Sequence, residues 1–106
     1  MVARGQVWWF EDEDIPRRPV LVLTRTAVTD RLTHVVAVPA TTVICHLPTE
    51  VTLSAADGMP QECVLTLDNV GQFRTSLCTE LITELSDARM QDVCDALLIA
   101  TQCVRG

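Results

Sequence analysis

The stretch Arg17-Arg18-Pro19-Val20-Leu21-Val22-Leu23-Thr24 decides how this chain reads. Val20 to Leu23 is an unbroken apolar run with two β-branched valines, the pattern of a strand buried on both faces. Pro19 suits the first residue of such a strand, because it has no N–H to give to a ladder. Arg17 and Arg18 then stand at the strand's polar mouth. A guanidinium stays charged at any physiological pH, and its planar fork matches a phosphate. The stretch therefore reads as a core strand that delivers cations to one rim of a small domain, a candidate anion site. Two solvated arginines at a strand end is the plainer alternative.

Before this stretch, Gln6 to Phe10 reads as a strand entered through the turn residue Gly5. Trp8 and Trp9 must point to opposite faces of it, so only one of them can fill the main core. The other is expected in a subunit contact, in a groove or beneath a loop, with base stacking as a rarer use. EDEDIP, Glu11 to Pro16, reads as a compact acidic loop on solvated surface. After it, Thr24 to Thr33 is a polar connection. His34 to Ala40 is a second buried strand, stopped by Pro39 and followed by the hydroxyls of Thr41 and Thr42. Leu47 to Leu53 and Cys63 to Val70 alternate as half-buried strands, separated by a loop at Ser54 to Gln61 that holds Asp57-Gly58 and Pro60. Phe73 to Leu77 is a short helical turn or an irregular link, and Leu81 to Leu85 a short final strand.

The chain ends in a helix. Ser86 is a sound N-cap, Asp87 complements the dipole of the first turn, and Leu85 with Met90 falls at the staple positions. Met90, Val93, Cys94, Leu97 and Leu98 repeat at the spacing of one helical face, with Cys94 expected as plain core. Five or six short strands followed by one helix predict an α+β, mostly β fold. It would be a small, strongly curved SH3-like barrel or sheet with the C-terminal helix packed on it.

Composition narrows the function classes. At 106 residues and 48% hydrophobic content, residues 1–106 read as one domain, small enough that its core is commonly extended by pairing with a copy of itself. No apolar run approaches the roughly 18–20 residues needed to span a bilayer, so no membrane partner is expected. The opening MVARGQVWW lacks the apolar segment of a signal peptide, which predicts a cytoplasmic protein. Five cysteines, an odd number with no CxxC pair, argue against a disulfide framework and a zinc site. No H-x-x-x-H and no cluster of carboxylates at metal-ligand spacing occurs, so neither a metal nor a cofactor is expected. The formal net charge of −6 repels a polyanion at long range. The distribution is lopsided, however. Arg4, Arg17, Arg18, Arg25 and Arg31 fall in the first third, and Glu80, Glu84, Asp87, Asp92 and Asp95 in the last.

Read in order, RGQVWWF, RRPVLVL, VVAVPATT, LPTEVTL, CVLTLDNV and LITELSDARMQDVCDAL resemble the MazF/PemK family of toxin endoribonucleases. Almost the whole chain is covered, in the family's order. The resemblance implies a metal-independent ribonuclease that cuts single-stranded RNA at a short motif. The ribose 2′-hydroxyl attacks the adjacent phosphate, leaving a 2′,3′-cyclic phosphate and a 5′-hydroxyl. It makes Arg18 and Thr41 the catalytic pair, Arg18 as stabiliser of the phosphorane charge and Thr41 as donor to a non-bridging oxygen. Arg17, Thr42, Asp68 and Asn69 become RNA-binding residues, with Asp68-Asn69 in the family's base-reading Glu-Gln place. His34 and His46 are chemically suited to take the 2′-proton, although an isolated histidine is more often structural or merely exposed. The resemblance further implies a homodimer, with both subunits giving Arg17 and Arg18 to one groove. It also implies a MazE-like antitoxin whose acidic, apolar C-terminal segment occupies that groove. Two departures stand out: the Glu11–Pro16 loop is short and acidic where the family's is longer and contains glycine, and the Arg-Leu after the Glu-Gln strand is not matched cleanly by Ser76-Leu77-Cys78. The alternative is a non-enzymatic member of the same fold. One form is a CcdB-like gyrase binder, whose C-terminal Trp-Gly-Ile is not matched by Cys103-Val104-Arg105-Gly106. The other is a degenerate homologue that only binds an antitoxin.

Overall fold

The computed structural model describes residues 2–103; residues 104–106, where the gyrase-binding tripeptide would sit, lie outside them. Seven antiparallel strands form one curled sheet: β1 (Gln6–Asp12), β2 (Ile15–Val22), β3 (His34–Thr41), β4 (Glu50–Leu53), β5 (Cys63–Thr66), β6 (Gly71–Arg74) and β7 (Cys78–Glu84). A short helix, α1 (Thr26–Thr29), interrupts the polar connection, and α2 (Asp87–Thr101) follows the last strand. The order across the sheet is β4-β5-β3-β2-β1-β7, with β6 also paired to β3. This is the α+β, mostly β architecture that the strand pattern predicts.

The curl is produced by β3. Its first half, His34 to Ala37, pairs with β6, whereas Ala40 and Thr41 pair with β5. Pro39 falls between the two partners, where its missing N–H deprives neither ladder. The proline therefore marks a change of partner and does not stop the strand, contrary to the sequence expectation.

Val20, Leu21 and Val22 have no exposed surface, because β2 is covered on both faces. Leu21 joins the main core with Val7, Val38, Ala40, Leu53, Leu65, and Val93 and Ala96 of α2. Val20 packs on the other side with Phe10 and Ala37, and Phe73 meets Phe10 edge-on at 5.0 Å between ring centroids. Val22 packs with Val2 and Val35, against Trp8. Ser86 caps α2 by accepting the Arg89 N–H at 3.2 Å. Leu85 and Met90 meet the main core as the staple predicts.

Other boundaries move. EDEDIP is no loop: β1 runs to Asp12 and β2 begins at Ile15, joined by a two-residue turn in which the Asp14 N–H donates to Asp12 Oδ1 at 3.1 Å. Leu47 to Thr49 is a turn before β4, closed by the Glu50 N–H on the Leu47 carbonyl. Cys63 to Val70 divides into β5 and a 3₁₀ turn at Leu67–Asn69. Phe73 to Leu77 divides into the end of β6 and a 3₁₀ turn at Thr75–Leu77, and the last strand starts three residues early, at Cys78. Leu98 is 44% exposed and so leaves the predicted apolar face. α2 packs mainly on β4 and the Leu67–Asn69 turn, where Leu97 meets the core and Leu98 does not. Cys94 is half-buried beneath the Arg4 guanidinium (Nη2 to Sγ 3.3 Å), not plain core.

Candidate functional site

The site begins where β2 and β3 separate. The Leu23 N–H donates to the Val36 carbonyl at 2.8 Å, so with a period of two Leu21 and then Pro19 face β3 in the same way. Pro19 has no N–H, and the paired register ends at Val20 opposite Pro39. Beyond that point β3 turns to β5, while β2 continues beside β1 only. A cavity of about 310 Å³ lies there, lined by Arg17, Arg18 and Pro19 of β2, Ala40, Thr41 and Thr42, Trp9, Met59 to Gln61, and Cys63. The two prolines of the core strands thus set its place.

Arg18 and Thr41, far apart in sequence, come together in this cavity. Both arginines lie inside β2 and not before it. Arg18 sits opposite Phe10, and its Nε is buried with no hydrogen-bond partner. A buried guanidinium N–H left unpaired is costly, which marks a place built for an acceptor. Thr41 Oγ1 accepts the Val43 N–H at 3.3 Å, which leaves its own proton as a donor. Thr42 lines the same cavity. Strand alternation ends at Thr41, so the two hydroxyls are not on opposite faces.

Arg17 is held differently. Its guanidinium lies 4.1 Å over the centre of the Trp9 ring, 3.5 Å from Glu80 and 3.9 Å from Glu11. Trp9 is therefore a platform for an arginine, whereas Trp8 packs on the opposite side and donates to Gln6 Oε1 at 3.0 Å. Glu11 is exposed as expected and also belongs to this ion-pair group. It also accepts the Thr79 hydroxyl.

Asp68 and Asn69 do not line the cavity. They follow the Thr66 end of β5, while the cavity is bordered by its Cys63 end. Asp68 accepts the Thr49 hydroxyl at 2.7 Å. Neither histidine borders the cavity; His34 is exposed beside the Thr33 hydroxyl, and His46 is exposed in a loop with φ of 56°. Among the described residues no three histidine, cysteine or acidic side chains come together as a metal-holding group.

The Met59–Gln61 wall and Cys63 are lining residues that sequence reasoning did not single out. Asp57-Gly58 marked a loop here but not the direction in which it faces. The wall is firmly anchored. Ser54 and Asp57 form a reciprocal capping box around the 3₁₀ turn Ala55–Asp57, and Gly58 follows with φ of 91°. Asp57 Oδ1 pairs with Arg89 Nε of α2 at 3.0 Å, and the Asp57 carbonyl accepts the Thr83 hydroxyl of β7 at 2.9 Å. Burial, reinforced by Asp57 and then Glu62, pushes the Cys63 thiol above its ordinary range, so it stands in the wall as a neutral group.

Fold and cavity define a class: a small curled-sheet protein with a hollow that combines guanidinium and hydroxyl groups. The chain belongs to the PemK-like, MazF-like toxins of type II toxin-antitoxin systems, whose family model matches residues 3–101. It is 39% identical over 104 residues to the probable endoribonuclease MazF5 of Mycobacterium tuberculosis, covering 97% of this chain and 95% of that one. Among solved structures, the Mycobacterium tuberculosis toxin MazF-mt6 superposes with a TM-score of 0.85 at 28% identity, over 94% of this chain and 99% of the other. A mycobacterial endoribonuclease solved with its cognate antitoxin shares the fold, with a TM-score of 0.87 at 24% identity over the full length of both chains. No helix among the described residues is long and apolar enough to cross a membrane.

Proposed function

We propose that this chain is an endoribonuclease toxin that cuts single-stranded RNA at a short motif, without a metal ion, and so arrests translation and growth until a cognate antitoxin neutralises it. The observation that carries this reading is the buried, unpartnered Nε of Arg18 beside a cavity shared with Thr41. Family membership and the names of the relatives point the same way.

In this reading a phosphodiester fills the cavity. The 2′-hydroxyl attacks the adjacent phosphorus in line, the 5′-oxygen leaves, and the products carry a 2′,3′-cyclic phosphate and a 5′-hydroxyl. Arg18 meets the charge that develops on the equatorial oxygens, where a fixed cation in a partly dry site is most effective. A guanidinium keeps its proton, so Arg18 acts through its charge and not as a proton donor. Thr41 donates a hydrogen bond to a non-bridging oxygen and holds the in-line geometry. Arg17 and Thr42 grip the backbone at the rim. Asp68 and Asn69 meet the RNA only where it has left the cavity.

A homodimer joins two such cavities into one groove. The antitoxin's disordered, acidic and apolar C-terminal segment lies in that groove and competes with RNA. The toxin acts in the cytoplasm.

The test is one gel: purified protein, excess chelator and a long unstructured RNA. Discrete fragments ending in cyclic phosphate, formed far more slowly with Arg18→Ala, are the expected result. Intact RNA from a protein that still binds its antitoxin would leave the non-catalytic homologue as the right description.

A further inference from the structure

We propose that Gln61 is a specificity-determining residue, which reads the edge of the base adjoining the scissile phosphate. The proposal rests on the ribonuclease reading above and deepens it. Gln61 is exposed, lines the same cavity as Arg18 and Thr41, and makes no hydrogen bond among the described residues. It is the one carboxamide in that lining. A carboxamide presents a donor and an acceptor side by side, the pattern that matches a base edge in two hydrogen bonds, and single-stranded RNA leaves those edges open.

Location supports the assignment. At about 310 Å³ the cavity lies at the low end of small-ligand pockets, roughly 300–1,000 Å³, so it has room for one nucleotide and not for a run of bases. A phosphate held by Arg18 and Thr41 therefore brings only its neighbouring base against the Met59–Gln61 wall. Asp68 and Asn69, assigned to base reading by resemblance, stand at the other end of β5, and Asp68 already accepts the Thr49 hydroxyl.

The wall is also stiff enough to discriminate. Gln61 follows a segment fixed by the Ser54–Asp57 capping box, by the Asp57–Arg89 ion pair and by Gly58 seated against Thr83. A recognition group on an anchored segment keeps its geometry, whereas one on a mobile loop adapts to any base. The Arg17 guanidinium already covers one face of the Trp9 ring, and a stacked ring tolerates any base.

The experiment maps cleavage ends in a randomised RNA pool for the wild type, Gln61→Ala, Gln61→Glu and Arg18→Ala. With Gln61→Ala, preference at one position next to the cut should fall on the order of 5- to 100-fold, the scale of one lost bidentate base contact. Gln61→Glu should reorder the bases at that position, because a carboxylate only accepts. Arg18→Ala should slow every site alike and leave the order of preference unchanged. If both Gln61 variants keep the wild-type motif and its relative rates, the proposal is wrong. A motif that shifts with Asn69→Ala and not with Gln61 overturns it as well. A wild type that cuts nothing refutes the ribonuclease reading itself, a result distinct from either.

Discussion

Adding one methyl group at Gly58 should loosen the whole cavity wall. The residue has φ of +91°, and a Cβ built there would lie 2.3 Å from Thr83 Oγ1 and 2.9 Å from Thr83 Cβ. The left-handed backbone costs an alanine about 1–2 kcal/mol. Rotating Thr83 away from the Asp57 carbonyl removes the Oγ1 contact but forfeits a hydrogen bond of about 1 kcal/mol, and the Cβ contact still makes the backbone give slightly. Gly58→Ala should therefore cost about 2–3 kcal/mol, and for a chain of this size about 4–8 °C of Tm per kcal/mol gives a drop on the order of 10–20 °C. A thermal scan by circular dichroism reads it directly. Thr83→Ala supplies the second arm. It removes the 2.3 Å contact but leaves the strain, so the double variant should be more stable than the sum of the singles by about 1 kcal/mol. A Gly58→Ala protein melting within about 3 °C of wild type, well below that scale, or strict additivity with Thr83→Ala, would refute the reasoning.

Arg18→Ala should reduce RNA cleavage about 10²–10³-fold, the scale for one lost charge-stabilising donor, with Tm preserved. Arg18→Lys should recover part of that rate, since a point charge cannot grip two oxygens at once. Thr41→Ala should slow cleavage while Thr41→Ser does not, and Thr42→Ala should act more weakly and mainly on KM; the reverse pattern would exchange the two hydroxyls' roles. Arg89→Ala should lower stability by about 1–2 kcal/mol in denaturant titration, because Asp57 is left half-paired in a largely buried position. Burial raises the Cys63 and Cys78 thiols, so the folded state holds these protons more tightly than the unfolded chain does. That contribution is full below the unfolded value of about 8.5 and is lost as pH rises through the folded one, so Tm should fall on the alkaline side. The double variant Cys63→Ala/Cys78→Ala should flatten that limb.

The core strands and the helix were legible because burial writes itself as local pattern. Val20 to Leu23 reads as a strand covered twice, and β2 keeps it as far as Val22; Ser86 with its downstream apolar spacing starts a helix. That Arg18 and Thr41 meet was legible only through family resemblance, since nothing in their separate neighbourhoods says so. What failed were signals that depend on partners. Pro39 looked like a terminator because the sequence does not show that β3 changes partner there. EDEDIP looked like a loop because its charges hide a strand pairing in which Arg17 of β2 offsets Glu11 of β1. The Met59–Gln61 wall was invisible because its orientation is set by Thr83 and Arg89, far along the chain.

The pairing of β1 with β7 also governs when the molecule can become dangerous. Gln6 is registered with Glu84 and Trp9 with Glu80, so the first strand cannot complete its ladder until nearly the whole chain exists. Even the turn residue Gly5 waits, its carbonyl accepting the N–H of Leu85 at 2.9 Å. Contacts of such long sequence separation form late, after the closure entropy of the intervening chain has been overcome. On a translating ribosome the Arg17 cluster lacks its Glu80 partner, and the wall lacks Thr83 and Arg89, until the last quarter of the chain has emerged. Assembly of the site therefore waits on β7 and the first turn of α2, however early the arginines themselves are made.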